Sequence, residues 1–176
     1  MDTSAESAYA EFVTTRWASL VRAAVFLGAQ PHEAEDLAQT ACLRCYTGWE
    51  KVSGAADRDA YIYRILLNCL RDARRTRWWR GRVDRDVTSV SDALAGAIGD
   101  DTEDSIAVAD AVHRALAALT KPNREVVVLR YFVQLTEAQT AEALGIAPGT
   151  VKSRLSRSLA MLAADHHLHD LTGRSS

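Results

Sequence analysis

The chain is poor in the features that mark secreted, membrane-bound or metal-held proteins. It has three cysteines in 176 residues, an odd and small number that argues against a secreted disulfide framework. No apolar run approaches the length needed to cross a bilayer. The opening, MDTSAESAYAEF, lacks the basic-then-apolar form of a signal peptide. A cytoplasmic location without membrane insertion is therefore expected. Catalytic signatures are missing as well: no Gly-rich phosphate loop, nucleophile elbow or metalloprotease motif occurs. No catalytic residue and no cofactor is expected. Cys42 and Cys45 share a helix face, with Cys69 and His32 or His113 in reserve, so a thiol or metal site has to be weighed. Both fall on core positions, and neither a second CxxC nor a paired-His motif accompanies them. Buried apolar thiols are the simpler reading, with no metal. His166, His167 and His169 read as a solvated tail. No strand pattern and no internal repeat stand out.

Hydrophobic residues make up 48 % of the chain, enough for real cores, and charged residues 25 %, ordinary for a soluble globular protein. The net charge of −2 argues at first sight against nucleic acid, but the charges lie in blocks. Residues 71–85 hold seven Arg and two Asp, residues 86–110 seven acids and no base, and residues 111–176 eight bases and five acids. Two basic surfaces parted by an acidic spacer suggest separate jobs.

Helical periodicity fills the chain on either side of that spacer. A first helix is expected over about 8–27, with Val13, Trp17, Leu20, Ala24 and Leu27 along one side and Gly28 after its end. Pro31 opens a second, whose acidic first turn (Glu33, Glu35, Asp36) complements the helix dipole. Its buried face would be Ala34, Leu37, Ala41, Cys42 and Cys45, followed by Trp49. A loop over 51–58 precedes a third helix from about Asp59, with Ile62, Ile65, Leu66, Cys69 and Ala73 inward. Arg64, Asn68, Arg71, Arg75 and Trp78 share another face of that helix, a basic surface suited to phosphate and stacked bases. From Val83 to Asp104 periodicity fails and Asp, Ser, Gly and Ala dominate. Ala109, Val112, Leu116 and Leu119 mark a fourth helix. Pro122 starts a fifth carrying Val126, Leu129, Arg130 and Val133. The expected architecture is all-α, two small helical domains at 1–82 and 105–165, a flexible acidic linker at 83–104 and a tail at 166–176.

The stretch from Leu135 to Leu162 reads as helix, tight turn and helix. Thr136 and Gln139 form a capping box, Ala138, Ala141 and Leu144 an apolar face, and Gly145 a left-handed stop. Pro148 stands at a helix N1 position. Val151, Leu155, Leu159 and Leu162 then make one stripe. The opposite face carries Thr150, Lys152, Ser153, Arg154 and Arg157 with no acid among them, as suits a recognition helix in a major groove.

Three blocks, in order, carry a family resemblance that covers nearly the whole chain. EAEDLAQTACLRCYTGW resembles the region 2.2 helix of bacterial sigma factors of the extracytoplasmic-function (ECF) group, usually near DAEDLVQETFLRAW. AYIYRILLNCLRDARR resembles their regions 2.3 and 2.4. LTKPNREVVVLRYFVQLTEAQTAEALGIAPGTVKSRLSRSLAML resembles their region 4 almost throughout. The alanine- and arginine-rich composition is similar to that of actinobacterial members. The resemblance implies a factor that binds core RNA polymerase, brings it to promoters and helps open the DNA. It implies that Asp36, Leu37 and Gln39 meet the coiled coil of the β′ subunit, with the β subunit a further contact; Leu37 also fits a core position and Asp36 a dipole partner. It assigns the loop Val52–Arg58 and the helix after it to the −10 element, where one base is flipped from the stack and read. Asn68 stands where the family has its Asn, Val52 and Ser53 are pocket-wall candidates, and Arg71, Arg74, Arg75 and Arg77 would grip phosphates. On the −35 element, Lys152, Ser153 and Arg157 fall on contact positions, with Thr150 and Arg154 on phosphates. Lys152 departs from the Arg that many members carry and cannot make the same planar fork. An anti-sigma factor is a further partner that the resemblance admits.

Trp78 and Trp79 do not match the adjacent tryptophans with which primary sigma factors wedge the duplex. Counted back from the shared Asp72, that pair would stand near Ala60 and Tyr61, so packing or stacking beside phosphates is expected instead. The linker, about 20 residues, spans at most roughly 70 Å when extended, close to the roughly 70 Å of two helical turns between promoter elements. It is therefore expected to run stretched along the polymerase, its acids suited to a basic channel. A stand-alone helix-turn-helix regulator would explain Leu135–Leu162 equally well. It leaves the region 2.2 helix and the Arg64–Arg77 face without work.

Overall fold

The structure, a computed structural model, describes residues 3–79 and 103–164, with backbone alone at 77–79 and 103–107. The described residues form eight α-helices and no strand. These are α1 (Thr3–Phe26), α2 (Pro31–Thr47), α3 (Trp49–Ser53), α4 (Arg58–Trp79), α5 (Glu103–Ala118), α6 (Lys121–Val127), α7 (Glu137–Leu144) and α8 (Pro148–Ala163). A π-helical segment, Val128–Phe132, continues α6.

Helices α1 to α4 form the first unit. α1 stops in a Schellman motif: Gly28 takes φ +94°, its N–H donates to Val25 O at 2.8 Å, and Ala29 N–H donates to Ala24 O at 3.0 Å. Pro31 then fixes the first turn of α2, and Gln30 N–H donates to the Glu33 carboxylate at 3.1 Å. The face expected inward on α2 is buried in full. Tyr9 OH donates to Cys42 O (3.0 Å), Ser19 and Tyr63 share a hydrogen bond of 2.7 Å, and Arg16 pairs with Asp59 at 2.7 Å. These bonds pin α1 across α2 and α4, while Tyr9, Phe12, Tyr46 and Trp49 pack as an aromatic cluster.

Helices α5 to α8 form the second unit, and the two units share one apolar core. Leu20, Leu27, Leu66 and Leu70 of the first belong to the same buried cluster as Leu116, Leu119, Val128, Leu129, Leu135 and Ala143 of the second. The π segment shapes this seam. Val133 N–H reaches back five residues to Val128 O (3.0 Å), and Gln134 takes a left-handed φ of +65° to end the helix. The widened turn turns Tyr131 and Phe132 outward, and Phe132 lies against Phe26 with ring centroids 4.2 Å apart.

Several expectations are corrected. α1 begins at Thr3, because Ala5 and Tyr9 already pack on the core. Phe12 is buried there while Trp17 stays 37 % exposed at the margin of the face. Lys51, Val52 and Ser53 are helical, not loop, since Trp49 and Val52 anchor a short helix. Ala73 is exposed, past the last buried apolar residue of α4, Leu70. Ala138 is exposed too, and Leu159 is 39 % exposed. Among the described residues no element covers the outer end of the α8 stripe, which lines an open apolar groove of about 330 Å³ with Val112, Leu116, Tyr131 and Phe132. The expected linker, 83–104, lies outside the described residues except for Glu103 and Asp104, which begin α5; the expected tail lies outside them altogether.

Candidate nucleic-acid interface

The helix-turn-helix is built by local chemistry. Gln139 N–H donates to Thr136 Oγ1 (3.2 Å) and Thr136 N–H to Gln139 Oε1 (2.7 Å), closing the capping box. Gly145 takes φ +67° and donates to Glu142 O at 3.2 Å, while Ile146 N–H reaches Ala141 O at 3.0 Å, a second Schellman motif. Pro148 opens α8. A small separate cluster, Val126, Ala141 and Val151, locks α6, α7 and α8 together. Ser158 was not singled out in the sequence, yet it is fully buried. Its hydroxyl donates to Arg154 O at 2.7 Å, so a small polar side chain is buried without an orphaned group.

The outer face of α8 stands open. Lys152, Ser153 and Arg157 are exposed, and Thr150 and Arg154 are partly so. Arg157 Nε donates to Ser153 O (3.2 Å) and Ser153 Oγ to Thr150 O (3.1 Å), so these side chains rest on their own helix. Among the described residues no acid pairs with Lys152, Arg154 or Arg157. Among the described residues these three cations are thus uncompensated, the electrostatic condition for phosphate and base contact.

The α4 face is arranged differently. Asn68 is exposed, its Oδ1 accepting from Arg71 at 3.4 Å. Arg75 pairs with Asp72 at 3.2 Å and remains largely exposed. Arg71 pairs with Glu125 of α6 at 3.3 Å. Arg74 is half-buried and donates to Leu27 O at 2.6 Å, capping the end of α1. Burial pulls its guanidinium pKa down, with the Glu125 carboxylate opposing. Arg64 donates through Nε (3.1 Å) and NH2 to Glu142 O, at the C-terminus of α7, where a cation also meets the negative end of the helix dipole. Ser53 reaches the surface, whereas Val52 is fully buried and supports the neighbouring loop from behind. Arg77 lies on α4, but its side chain, like those of Trp78 and Trp79, is outside those described. Ala55, Ala56, Asp57, Arg58, Asp59 and Arg16 line an open polar cleft of about 410 Å³ beside this loop.

On α2, Asp36 and Gln39 are exposed and Leu37 is 7 % exposed, a core residue. Two exposed apolar residues were missed in the sequence: Leu43 (59 %) and Tyr46 (43 %). Positions 36, 39, 43 and 46 fall on one helix face, and that spacing was the available signal. Cys42, Cys45 and Cys69 are free and buried, as read; burial pushes each thiol pKa up, that of Cys45 to about 12. A thiol so protonated is a poor nucleophile. No helix among the described residues is long and apolar enough to cross a membrane.

Residues 14–80 match the family Sigma-70 region 2, and residues 109–162 match Sigma-70, region 4. The chain is 37 % identical to an RNA polymerase sigma-E factor of Streptomyces avermitilis, over 95 % of this chain and 89 % of that one. It is 30 % identical to the ECF RNA polymerase sigma factor SigW of Bacillus subtilis, over 72 % and 71 %. The fold is similar to that of the sigma factor RpoE of Bartonella quintana, solved in complex with the anti-sigma factor NepR: TM-score 0.68, 20 % identity, covering 96 % and 98 % of the two chains. With both DNA-reading units in order and matching along nearly its whole length, the chain belongs to the ECF group of RNA polymerase sigma factors.

Proposed function

We propose that this sigma factor directs core RNA polymerase to promoters through a residue-level division of labour among three surfaces. The exposed strip of α2, Asp36 and Gln39 continued by Leu43 and Tyr46, binds the polymerase, with Leu37 holding the helix in place. Ser53 at the end of α3, the loop after it and the α4 residues Asn68, Arg71, Arg75 and Arg77 take the −10 strand, Asn68 reading a base and the arginines gripping phosphates. Arg74, spent on Leu27 O, holds α1 against this surface. Lys152, Ser153 and Arg157 read the −35 element in the major groove, with Thr150 and Arg154 on its phosphates. The units at about 1–82 and 105–165 work as two hands, joined through the acidic stretch 83–104. Working with polymerase places the protein in the cytoplasm, and an anti-sigma factor is a natural regulator, as in the RpoE–NepR complex.

The observation that carries this reading is the uncompensated cationic face of α8 in the same chain as the arginine face of α4. A stand-alone regulator uses the first and has no work for the second. Transcription from a genomic library by core polymerase with and without the purified protein tests it. New start sites sharing two upstream motifs are expected. Tight duplex binding by the protein alone, with no start sites gained, would overturn it.

A further inference from the structure

Where the ends of α1 and α5 meet α4 and α6, four cations crowd around one acid. Arg71 and Arg74 come from α4, Lys121 and Arg124 from α6, and Glu125 of α6 is the acid. Glu125 is 7 % exposed and pairs with Arg71 at 3.3 Å. Among the described residues no acid pairs with Arg74, Lys121 or Arg124. The two guanidiniums rest on carbonyls instead. Arg74 NH2 donates to Leu27 O (2.6 Å), and Arg124 donates through Nε to Leu116 O (2.7 Å) and through NH2 to Ala117 O (2.8 Å). They converge over Gly28, where a Cβ would lie 2.5 Å from Arg124 NH1 and 3.1 Å from Arg74 NH2. Each guanidinium has five N–H donors, so both keep donors to spare, and Lys121 stands exposed at the rim. Like charges this close oppose one another. Burial and then Arg74 pull the pKa values of Arg124 and Lys121 down, with Glu125 opposing at Lys121.

Four cations against one carboxylate leave three positive charges. The carbonyl ends of α1 and α5 offset about half a charge each, so roughly two remain, on side chains that are partly withdrawn from water. Such a surplus is costly unless an anion meets it. A phosphoryl group carries about −1.5 to −2 at neutral pH and offers three acceptor oxygens, which matches both the charge and the convergence of two planar donor forks. We propose that Arg74, Lys121 and Arg124 form a binding site for a phosphoryl dianion, taken as inorganic phosphate or as the terminal phosphoryl group of a nucleotide. Two of its three cations come from α6, so it is distinct from the −10 surface of α4. It does not rest on the promoter-reading role, and its test contains neither DNA nor polymerase.

The full chain is titrated with sodium phosphate by calorimetry, with chloride at matched ionic strength as the reference, and its melt is followed in parallel. Saturable binding with a Kd of about 1 mM or tighter and a rise in Tm beyond that in chloride are expected. Lys121→Gln removes an exposed side chain that pairs with no acid among the described residues, so the fold survives; it should weaken binding about tenfold, the loss of one charge-assisted hydrogen bond. Arg124→Lys keeps the charge without the fork and should weaken it by a similar factor. Glu125→Gln removes the competing acid and should tighten binding several-fold, a gain that no damaged fold would give. The double variant Lys152→Gln with Arg157→Gln, on α8, should leave phosphate binding unchanged. AMP in place of phosphate separates the sources: free phosphate is expected to bind at least as well, and AMP bound tenfold more tightly supports the same site with a nucleotide as its source. No saturable binding, a chloride response equal to that of phosphate, or binding that the α8 variant abolishes would each overturn the proposal. So would binding that neither Lys121→Gln nor Arg124→Lys weakens.

Discussion

Arg157 gives the most discriminating test of how the −35 hand reads DNA. It is exposed on α8, unpaired with any acid among the described residues, and held only by Nε on Ser153 O at 3.2 Å. That single bond to its own helix is cheap to give up, so the full fork is available to a guanine edge. A bidentate arginine–guanine contact is worth about 1–3 kcal/mol of discrimination, or roughly 5- to 150-fold in affinity. Arg157→Ala should therefore weaken holoenzyme binding to a cognate promoter by that factor, while binding to a fragment with a scrambled −35 element changes far less. Arg157→Lys separates charge from geometry. It keeps the cation, so the dependence of log K on log salt should stay near the wild-type slope. It loses the planar fork, so most of the discrimination should go. Binding of the three proteins to matched and scrambled fragments, measured across a salt series, decides the matter. If Arg157→Lys discriminates as well as wild type, and Arg157→Ala loses equally on both fragments with a slope reduced by about one, Arg157 is a phosphate contact and the base-reading assignment fails.

The two left-handed glycines should differ in cost. A Cβ at Gly145 meets nothing within 4 Å, so Gly145→Ala should cost about 1–2 kcal/mol of backbone strain and lower Tm by about 2–8 °C. Gly28→Ala adds a clash with Arg124 that loosens its bonds to Leu116 O and Ala117 O (2.7 and 2.8 Å), and its melt should fall by clearly more; equal shifts would refute the seam geometry. Thr136→Ala removes the cap acceptor for Gln139 N–H and should cost about 1 kcal/mol, read by urea unfolding. His113 has its pKa lowered from 6.5 by burial and, next, by Arg124, with Asp110 opposing. The unfolded chain then binds its proton first as pH falls, so the stability His113 contributes is present above about pH 6.5 and lost as pH drops toward its folded pKa. His113→Gln should flatten that part of a Tm–pH curve. The raised thiol pKa values, about 12 at Cys45, imply that iodoacetamide at mildly alkaline pH labels the native protein slowly and the urea-unfolded protein quickly. Rapid native labelling would contradict the burial.

The parts of this protein that could be read from sequence are those decided within one turn of helix. Thr136 and Gln139 are three residues apart, Gly145 and Pro148 bracket a turn, and the cation face of α8 follows from 3.6-residue spacing alone. The seam was not readable, because Arg64 and Glu142 are 78 positions apart and the acceptor is a backbone carbonyl with no side-chain signature. The π segment was hidden for a related reason: VVLRYF carries an α-helical pattern, and the widened turn shows only in the bond from Val133 to Val128. Val52 was placed on a pocket wall because the family resemblance assigns the stretch from Val52 to Arg58 to the −10 element, whereas its side chain is buried in the core. The stretched linker was argued from the spacing of promoter elements, a property of the DNA-bound state. It says nothing against the contact that the units make with each other.

The π segment has a genetic consequence. A five-residue π run holds one residue more than the α-helix would need to connect the same two ends, so removing any one residue from Val128–Phe132 restores a plain α-helix. Each residue turns an α-helix by about 100°, so such a deletion would swing the aromatic ring away from Phe26 while leaving the capping box, the Gly145 turn and the α8 cations intact. A single in-frame codon loss would thus alter the ring contact between the two units at Phe26 and Phe132 while sparing the helix-turn-helix.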